Sequence, residues 1–467
     1  MRVLQRLTII LFLLILFVPA AAFNFEEEAI SEIDNRMLAA NPFSGSIPKS
    51  GDLTDAVENY VNDRIGFRDE MILIYTVLND RIFGKMVHPG YSYGKNGYVF
   101  GAGLSREKYG EFHETFAGMV SRIQEYCEAR SVPFLFVFNP AKTSVLTEYL
   151  PNGIQYDHSW VDAFLADLDK RGVHYIDNTV LMREKTENGE YVYNIKYDAN
   201  HWNDLGGYYG TNNILTVMRE SIPGVHINEK EEIIVRERLQ TSLPVSRFPI
   251  HEMVPQITLD TEYEDIGENY RDELILDRVF SVFGYYINEE QRKKGAPRAL
   301  VFQGSYMNNY GTQYMINGFG EYIHVHDYQN VIHFPYYFNI FKPDCVIFEV
   351  AEYTLSDTYF DLDHMKAMDL NPVLDEKWLE NRSTIKADLD SENLTIEKGR
   401  ILTRISWDTA NPGGYAWLRL GDNVYDFSRI KTGFEVTVTT KDYRDREDEM
   451  EIILSQDREM KITDEEQ

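Results

Sequence analysis

Cysteine is scarce. Only Cys127 and Cys345 occur in 467 residues, which excludes a disulfide scaffold and a Cys-rich zinc or iron–sulfur protein. Basic residues are also in deficit, 46 Lys and Arg against 75 Asp and Glu, for a net charge of −29. Such a chain repels nucleic-acid phosphates and anionic lipid, which disfavours a general DNA or RNA binder. No G-x-G-x-x-G turn or P-loop lysine stands out, no cofactor or metal is expected, and no internal repeat is visible. What remains is ordinary globular material: 43% hydrophobic, 26% charged and 13% aromatic residues. At roughly 150 residues per domain the length suggests two or three domains with a large core.

The first 23 residues fix the compartment. Arg2 and Arg6 precede an apolar run over residues 7–18, followed by Pro19-Ala20-Ala21-Ala22. A positive head, a short apolar stretch and an A-x-A site form a secretory signal pattern, with cleavage expected near Ala22. The run is also near the lower length of a membrane span, so an uncleaved anchor is the alternative. Either way the rest of the chain works outside the cytoplasmic membrane, secreted or held at its outer face.

Beyond it, residues 24–90 read as an N-terminal segment, irregular at first and helical over 53–83 with a break near Gly66. Residues 91–385 alternate helices and buried strands. Gly94 to Phe100 is a turn into a short strand, and Ser105 caps a helix bearing Tyr109, Phe112, Phe116, Val120, Ile123 and Cys127. Strands are expected at 133–138, 173–176, 191–195, 299–302 and 345–350, and helices at 159–170 and 205–219. This rhythm predicts an α/β fold with a largely parallel sheet. A charged, proline-containing stretch over about 228–286 reads as an insertion. From 395 to 460, strand-like runs separated by turn signals suggest a small all-β module.

Two motifs carry chemistry. In Tyr197-Asp198-Ala199-Asn200-His201-Trp202, an aspartate three residues before a histidine can hold one ring nitrogen and leave the other as a general base. In Phe302-Gln303-Gly304-Ser305-Tyr306, a serine follows a glycine at the carboxyl end of a buried strand, where open α/β sheets bind ligands. Taken singly, the first is equally a turn and the second an N-capping serine. Together, Ser305, His201 and Asp198 are the parts of an acyl-transfer triad.

These blocks resemble, in order, the alginate O-acetyltransferase AlgX/AlgJ family and the related DHHW-type proteins. The likeness runs through Asp63–Arg68, Asn79 to Gly84, Gly94 to Phe100, Phe136 to Lys142, Tyr149-Leu150-Pro151, Asp198 to Trp202, Gly304-Ser305 and Lys342 to Glu352. It implies a circularly permuted SGNH hydrolase-like three-layer sandwich, because the D-x-x-H precedes the Gly-Ser. The departures are Gln303, where the family has an aspartate, Tyr353, where it has an arginine, and an Asp-to-His spacing one residue longer than the commonest alginate-type version.

The resemblance implies an extracytoplasmic O-acetyltransferase. Acetyl would arrive from a membrane-bound O-acyltransferase, rest on Ser305 and pass to a polysaccharide hydroxyl. His201 would be the base, Asp198 its partner, and the Ser305 N–H with Asn308 or Asn309 would hold the oxyanion. A secreted carbohydrate acetyl-esterase and a non-catalytic polysaccharide-binding or assembly protein are the alternatives. Trp202, Lys142 and Tyr306 are expected to contact substrate. Trp407, Tyr415 and Trp417 are the expected platform of a carbohydrate-binding C-terminal module. His324 with His326, and Asp361-Leu362-Asp363-His364, are read as core and surface groups rather than metal sites. Whether Cys127 and Cys345 pair is open.

Overall fold

A computed structural model describes residues 2–26, 29–31, 36–43, 53–85, 87, 91–101, 108–244, 249–380, 384–389, 391–409 and 413–455. Three helices open the chain: α1 (Arg2–Ala21), α2 (Leu53–Arg64) and α3 (Arg68–Phe83). The break between α2 and α3 falls at Gly66, as expected, while residues 24–43 also contain a two-residue bridge pairing Ile30–Ser31 with Arg36–Met37.

The central sheet holds β1 (Phe134–Asn139), β2 (Tyr175–Asp177), β3 (Glu264–Asp265), β4 (Phe283–Ile287), β5 (Arg298–Gln303), β6 (Glu321–His326) and β7 (Cys345–Ala351). Their order is β2-β1-β7-β5-β6-β4-β3. The first five are parallel and β4 and β3 antiparallel. Phe134–Phe138 in β1 and Ala299–Phe302 in β5 are continuous apolar runs because both faces of the sheet are covered. One face packs α4 (Glu111–Ala129), α5 (Ser159–Lys170) and a helix at Phe334–Phe341. The other packs α6 (Asn178–Glu187), α7 (Asp204–Ser221), α8 (Ser305–Tyr310) and α9 (Thr312–Gly318). This is a three-layer α/β/α sandwich, as expected.

Two expectations about elements change. Helix α4 begins at Glu111 with Gly110 as its cap, so Tyr109 precedes it, and Ser105 lies outside the described residues. Residues 191–195 are not a strand. The Ile195, Lys196 and Tyr197 N–H groups donate to Glu252 at 2.6–2.9 Å, which removes them from any ladder. Glu252 sits on a long hairpin, Ile233–Ser242 paired with Pro249–Leu259, within the 228–286 stretch.

The C-terminal strands form two four-stranded antiparallel sheets facing each other across Ile405, Leu418, Val436 and Ile452. Trp407 and Trp417 are interior, and the Trp417 indole donates to the Pro372 carbonyl. They therefore offer no sugar platform; Tyr415 is half-buried against Trp417 and Trp378. The sandwich is tied to the α/β body through buried Asp426, which accepts from Arg130 at 2.6 Å and from Tyr126. Cys127 and Cys345 are both buried free thiols. His324 stacks on Tyr286, His326 lies 3.1 Å from Asp327, and Asp361 caps a short helix by accepting from the His364 N–H.

Candidate active site

Strand order assembles the site. β1, β7 and β5 lie side by side and parallel, so the residues after their carboxyl ends converge at one edge. Gly304 caps α8 without a side-chain bond, and Ser305 is the first helical residue. The serine hydroxyl is thus not a capping group. Its Oγ lies 2.7 Å from His201 Nε2. His201 Nδ1 lies 2.8 and 2.9 Å from the two oxygens of Asp198. Two residues three apart and a serine 104 positions further on form one hydrogen-bonded row.

The D-x-x-H loop is built by its own sequence. Asp198 adopts a left-handed conformation, φ 68°, which aspartate tolerates better than most residues. Its Oδ1 accepts from the Asn200 and His201 N–H groups, closing an Asx-type turn. Burial favours the neutral carboxyl, but His201 and these N–H donors outweigh it and hold Asp198 below the usual carboxylate range. An ionised Asp198 fixes the tautomer with a proton on Nδ1 and a lone pair on Nε2 facing Ser305.

Several sequence-expected contacts fall elsewhere. Lys142 is fully buried, and its Nζ donates to the Val99, Ile195 and Asp198 carbonyls at 2.9–3.1 Å. It staples the loop from behind, and burial lowers its pKa to about 7. Trp202 is fully buried against Tyr306, and a Cβ at Gly210 would stand 2.3 Å from its ring. Tyr306 is fully buried, its hydroxyl donating to the Pro140 and Asn200 carbonyls. All three are buried, and each is held by the packing that shapes the site. Asn309 is exposed. Asn308 accepts from Gln303 Nε2 at 2.7 Å, so Gln303 orients the first turn of α8.

Three further groups position the site, and of these only Glu349 lies in a block of the family resemblance, Lys342 to Glu352. Glu252 clamps the loop before Asp198. Glu349 accepts the Gly304 N–H at 2.7 Å and anchors the turn into α8. Tyr353, visible in the sequence only as a departure, places its hydroxyl 3.0 Å from Ser305 Oγ and 2.8 Å from His201 Nε2. A phenol donating to Oγ would stabilise the developing alkoxide. Tyr353→Phe is therefore expected to lower acyl-serine formation by roughly 10²-fold, as loss of one oxyanion-type donor does. Pre-steady-state burst kinetics read that step directly, and an unchanged burst rate would remove Tyr353 from the mechanism.

Burial, then the nearby Asp327 carboxylate, raises the Glu349 pKa from 4.5 to about 8. The folded chain therefore holds a proton that an unfolded glutamate has released. Between about pH 4.5 and 8 this group makes stability fall as pH rises. Glu349→Gln is expected to flatten that slope in urea-unfolding midpoints measured across the window. An identical slope in both proteins would refute the assignment.

With the geometry in place, comparison with known proteins gives one family match. Residues 93–245 match the SGNH hydrolase-like domain of acetyltransferase AlgX. The match covers about a third of the chain, takes in Asp198 and His201, and stops before Ser305. No curated relative matches. Among solved structures, Bacillus cereus PatB1 with a sulfonyl adduct is similar at 16% identity and TM-score 0.45, over 58% of this chain and 96% of that one. The O-acetyltransferase domain of Pseudomonas putida AlgJ gives 14%, 0.42, 60% and 99%. Pseudomonas aeruginosa AlgX gives 13%, 0.40, 79% and 87%.

Proposed function

We propose that this chain is an extracytoplasmic O-acetyltransferase that carries acetyl on Ser305 and delivers it to a polysaccharide hydroxyl. The observation that carries the reading is the row Asp198–His201–Ser305, with a 2.7 Å link from Nε2 to Oγ. The AlgX-type match over residues 93–245 supports acetyl as the group transferred.

In the first half-reaction His201 Nε2 takes the Ser305 hydroxyl proton as Oγ attacks the acetyl carbonyl carbon. The Ser305 N–H, at a helix start with no intrahelical acceptor, is the proposed oxyanion donor. Gly304 does not serve, because its N–H is taken by Glu349. Collapse breaks the bond to the donor's leaving oxygen, which receives the proton from His201. In the second half-reaction a sugar hydroxyl gives its proton to His201 Nε2 and attacks the acyl carbon; collapse breaks the bond to Ser305 Oγ, which takes that proton back from His201. Asp198 stays ionised throughout. The donor we propose is a membrane-bound O-acyltransferase, a reading supported by the apolar helix α1 at the start of the chain.

The test is incubation with 4-nitrophenyl acetate, followed by intact mass and then by addition of neutral and anionic polysaccharides. One acetyl on the protein, discharged faster by a polysaccharide that becomes acetylated, supports transfer. Discharge to water alone would identify an acetyl-esterase. No adduct and no turnover would leave a binding or assembly role.

A further inference from the structure

Helix α3 presents an apolar face that the described residues leave uncovered. Met71, Ile74, Tyr75, Leu78 and Ile82 are 44–65% exposed. The opposite side holds the body: Asp69 accepts from Ser31, the Thr76 hydroxyl donates to the Val87 carbonyl, and Asp80 accepts from Tyr93. At about 100° per residue these two sets lie on opposite sides of the helix. The apolar stripe therefore points away from the described residues that hold the helix.

The N-terminal helix meets the body at the corner where α3 begins. No part of α1 is buried, and its 20 residues reach about 30 Å, the thickness of a bilayer core. Arg2 and Arg6 place its start on the cytoplasmic side, so Ala21 emerges at the outer face. The emerging end is folded onto the corner where α3 begins. The Gly66 N–H donates to the Pro19 carbonyl at 3.0 Å, and the Asn24 N–H to the Arg64 carbonyl at 2.8 Å. A Cβ at Gly66 would stand 2.5 Å from Ala22, so only glycine admits this approach. Buried Arg64 ties down the following segment through the Ala39 and Glu26 carbonyls. Exposed Phe25 and Phe67 flank the corner, where aromatic side chains suit a lipid interface.

We propose that α1 is retained as a membrane span and that the apolar face of α3 rests on the outer leaflet of that bilayer. The occupant is lipid acyl and glycerol surface, recognised by apolar area, because a chain of net charge −29 gains nothing from anionic headgroups.

The test uses the full chain in phosphatidylcholine vesicles containing doxyl-labelled lipid. Because Cys127 and Cys345 are buried, a fluorophore can be placed selectively on Ile74→Cys, on Leu78→Cys or, as control, on Val235→Cys of the exposed hairpin. The α3 probes are expected to be quenched several-fold more by lipid than the hairpin probe. The intact mass of protein from host membranes is expected to include residues 1–22. Equal quenching at all three sites would overturn the proposal. So would α3 probes shielded from aqueous iodide but not quenched by lipid, which would put a second copy or another protein on the face. So would a mass beginning at Phe23.

Discussion

Replacing Ser305 with alanine is expected to reduce release of nitrophenol from 4-nitrophenyl acetate to background, a loss of roughly 10⁴-fold or more, with no acetyl adduct. The reason is geometric. Oγ is the nucleophile available to His201 Nε2, at 2.7 Å, and the other hydroxyl in reach, Tyr353, is a phenol whose pKa burial holds well above 10. The fold should survive, because Ser305 is half-exposed and is not the helix cap. Unchanged circular dichroism with lost turnover separates chemistry from stability. A Ser305→Ala protein that still forms an acetyl adduct would move the nucleophile elsewhere and refute the mechanism.

Asp198→Asn is expected to cost nearly as much, roughly 10⁴-fold in kcat, through the wrong tautomer rather than lost packing. The amide keeps an oxygen for the Asn200 and His201 N–H groups, so the turn persists. What it loses is an ionised acceptor pair for Nδ1–H, and Nε2 no longer presents a reliable lone pair to Ser305. A proton-detected NMR spectrum of the imidazole distinguishes the causes. In the native protein the Nδ1 proton should be strongly downfield; in the variant that resonance should be lost while the methyl spectrum is preserved. A variant with native kcat would show that Asp198 holds the loop and nothing more.

These expected effects depend on Asp198, His201 and Ser305, and the sequence displayed all three. A D-x-x-H and a Gly-Ser after an apolar strand are local patterns, and local patterns survive in one dimension. The same holds for the alternation of strands and helices, for the break at Gly66 and for the strand-rich C-terminal region. Each follows from side-chain periodicity and turn chemistry that neighbouring residues set among themselves.

The sequence did not determine which strands lie together. The order β1-β7-β5 brings Tyr353 beside Ser305, and the hairpin of the 228–286 stretch brings Glu252 beside the Asp198 loop. Glu252 sits in no motif, and Tyr353 stood out only as a departure from one, so nothing local gave either a role. Burial decided the rest. Lys142, Trp202 and Tyr306 are chemically suited to hold a sugar, and Trp202 and Tyr306 adjoin His201 and Ser305 in the chain. Tertiary packing turns them inward, where carbonyls satisfy Lys142 and Tyr306 and glycines make room for Trp202. Residue type and spacing determine what a side chain can do; which face of the fold it occupies is a property of contacts between segments far apart in sequence, and that only the tertiary structure decided.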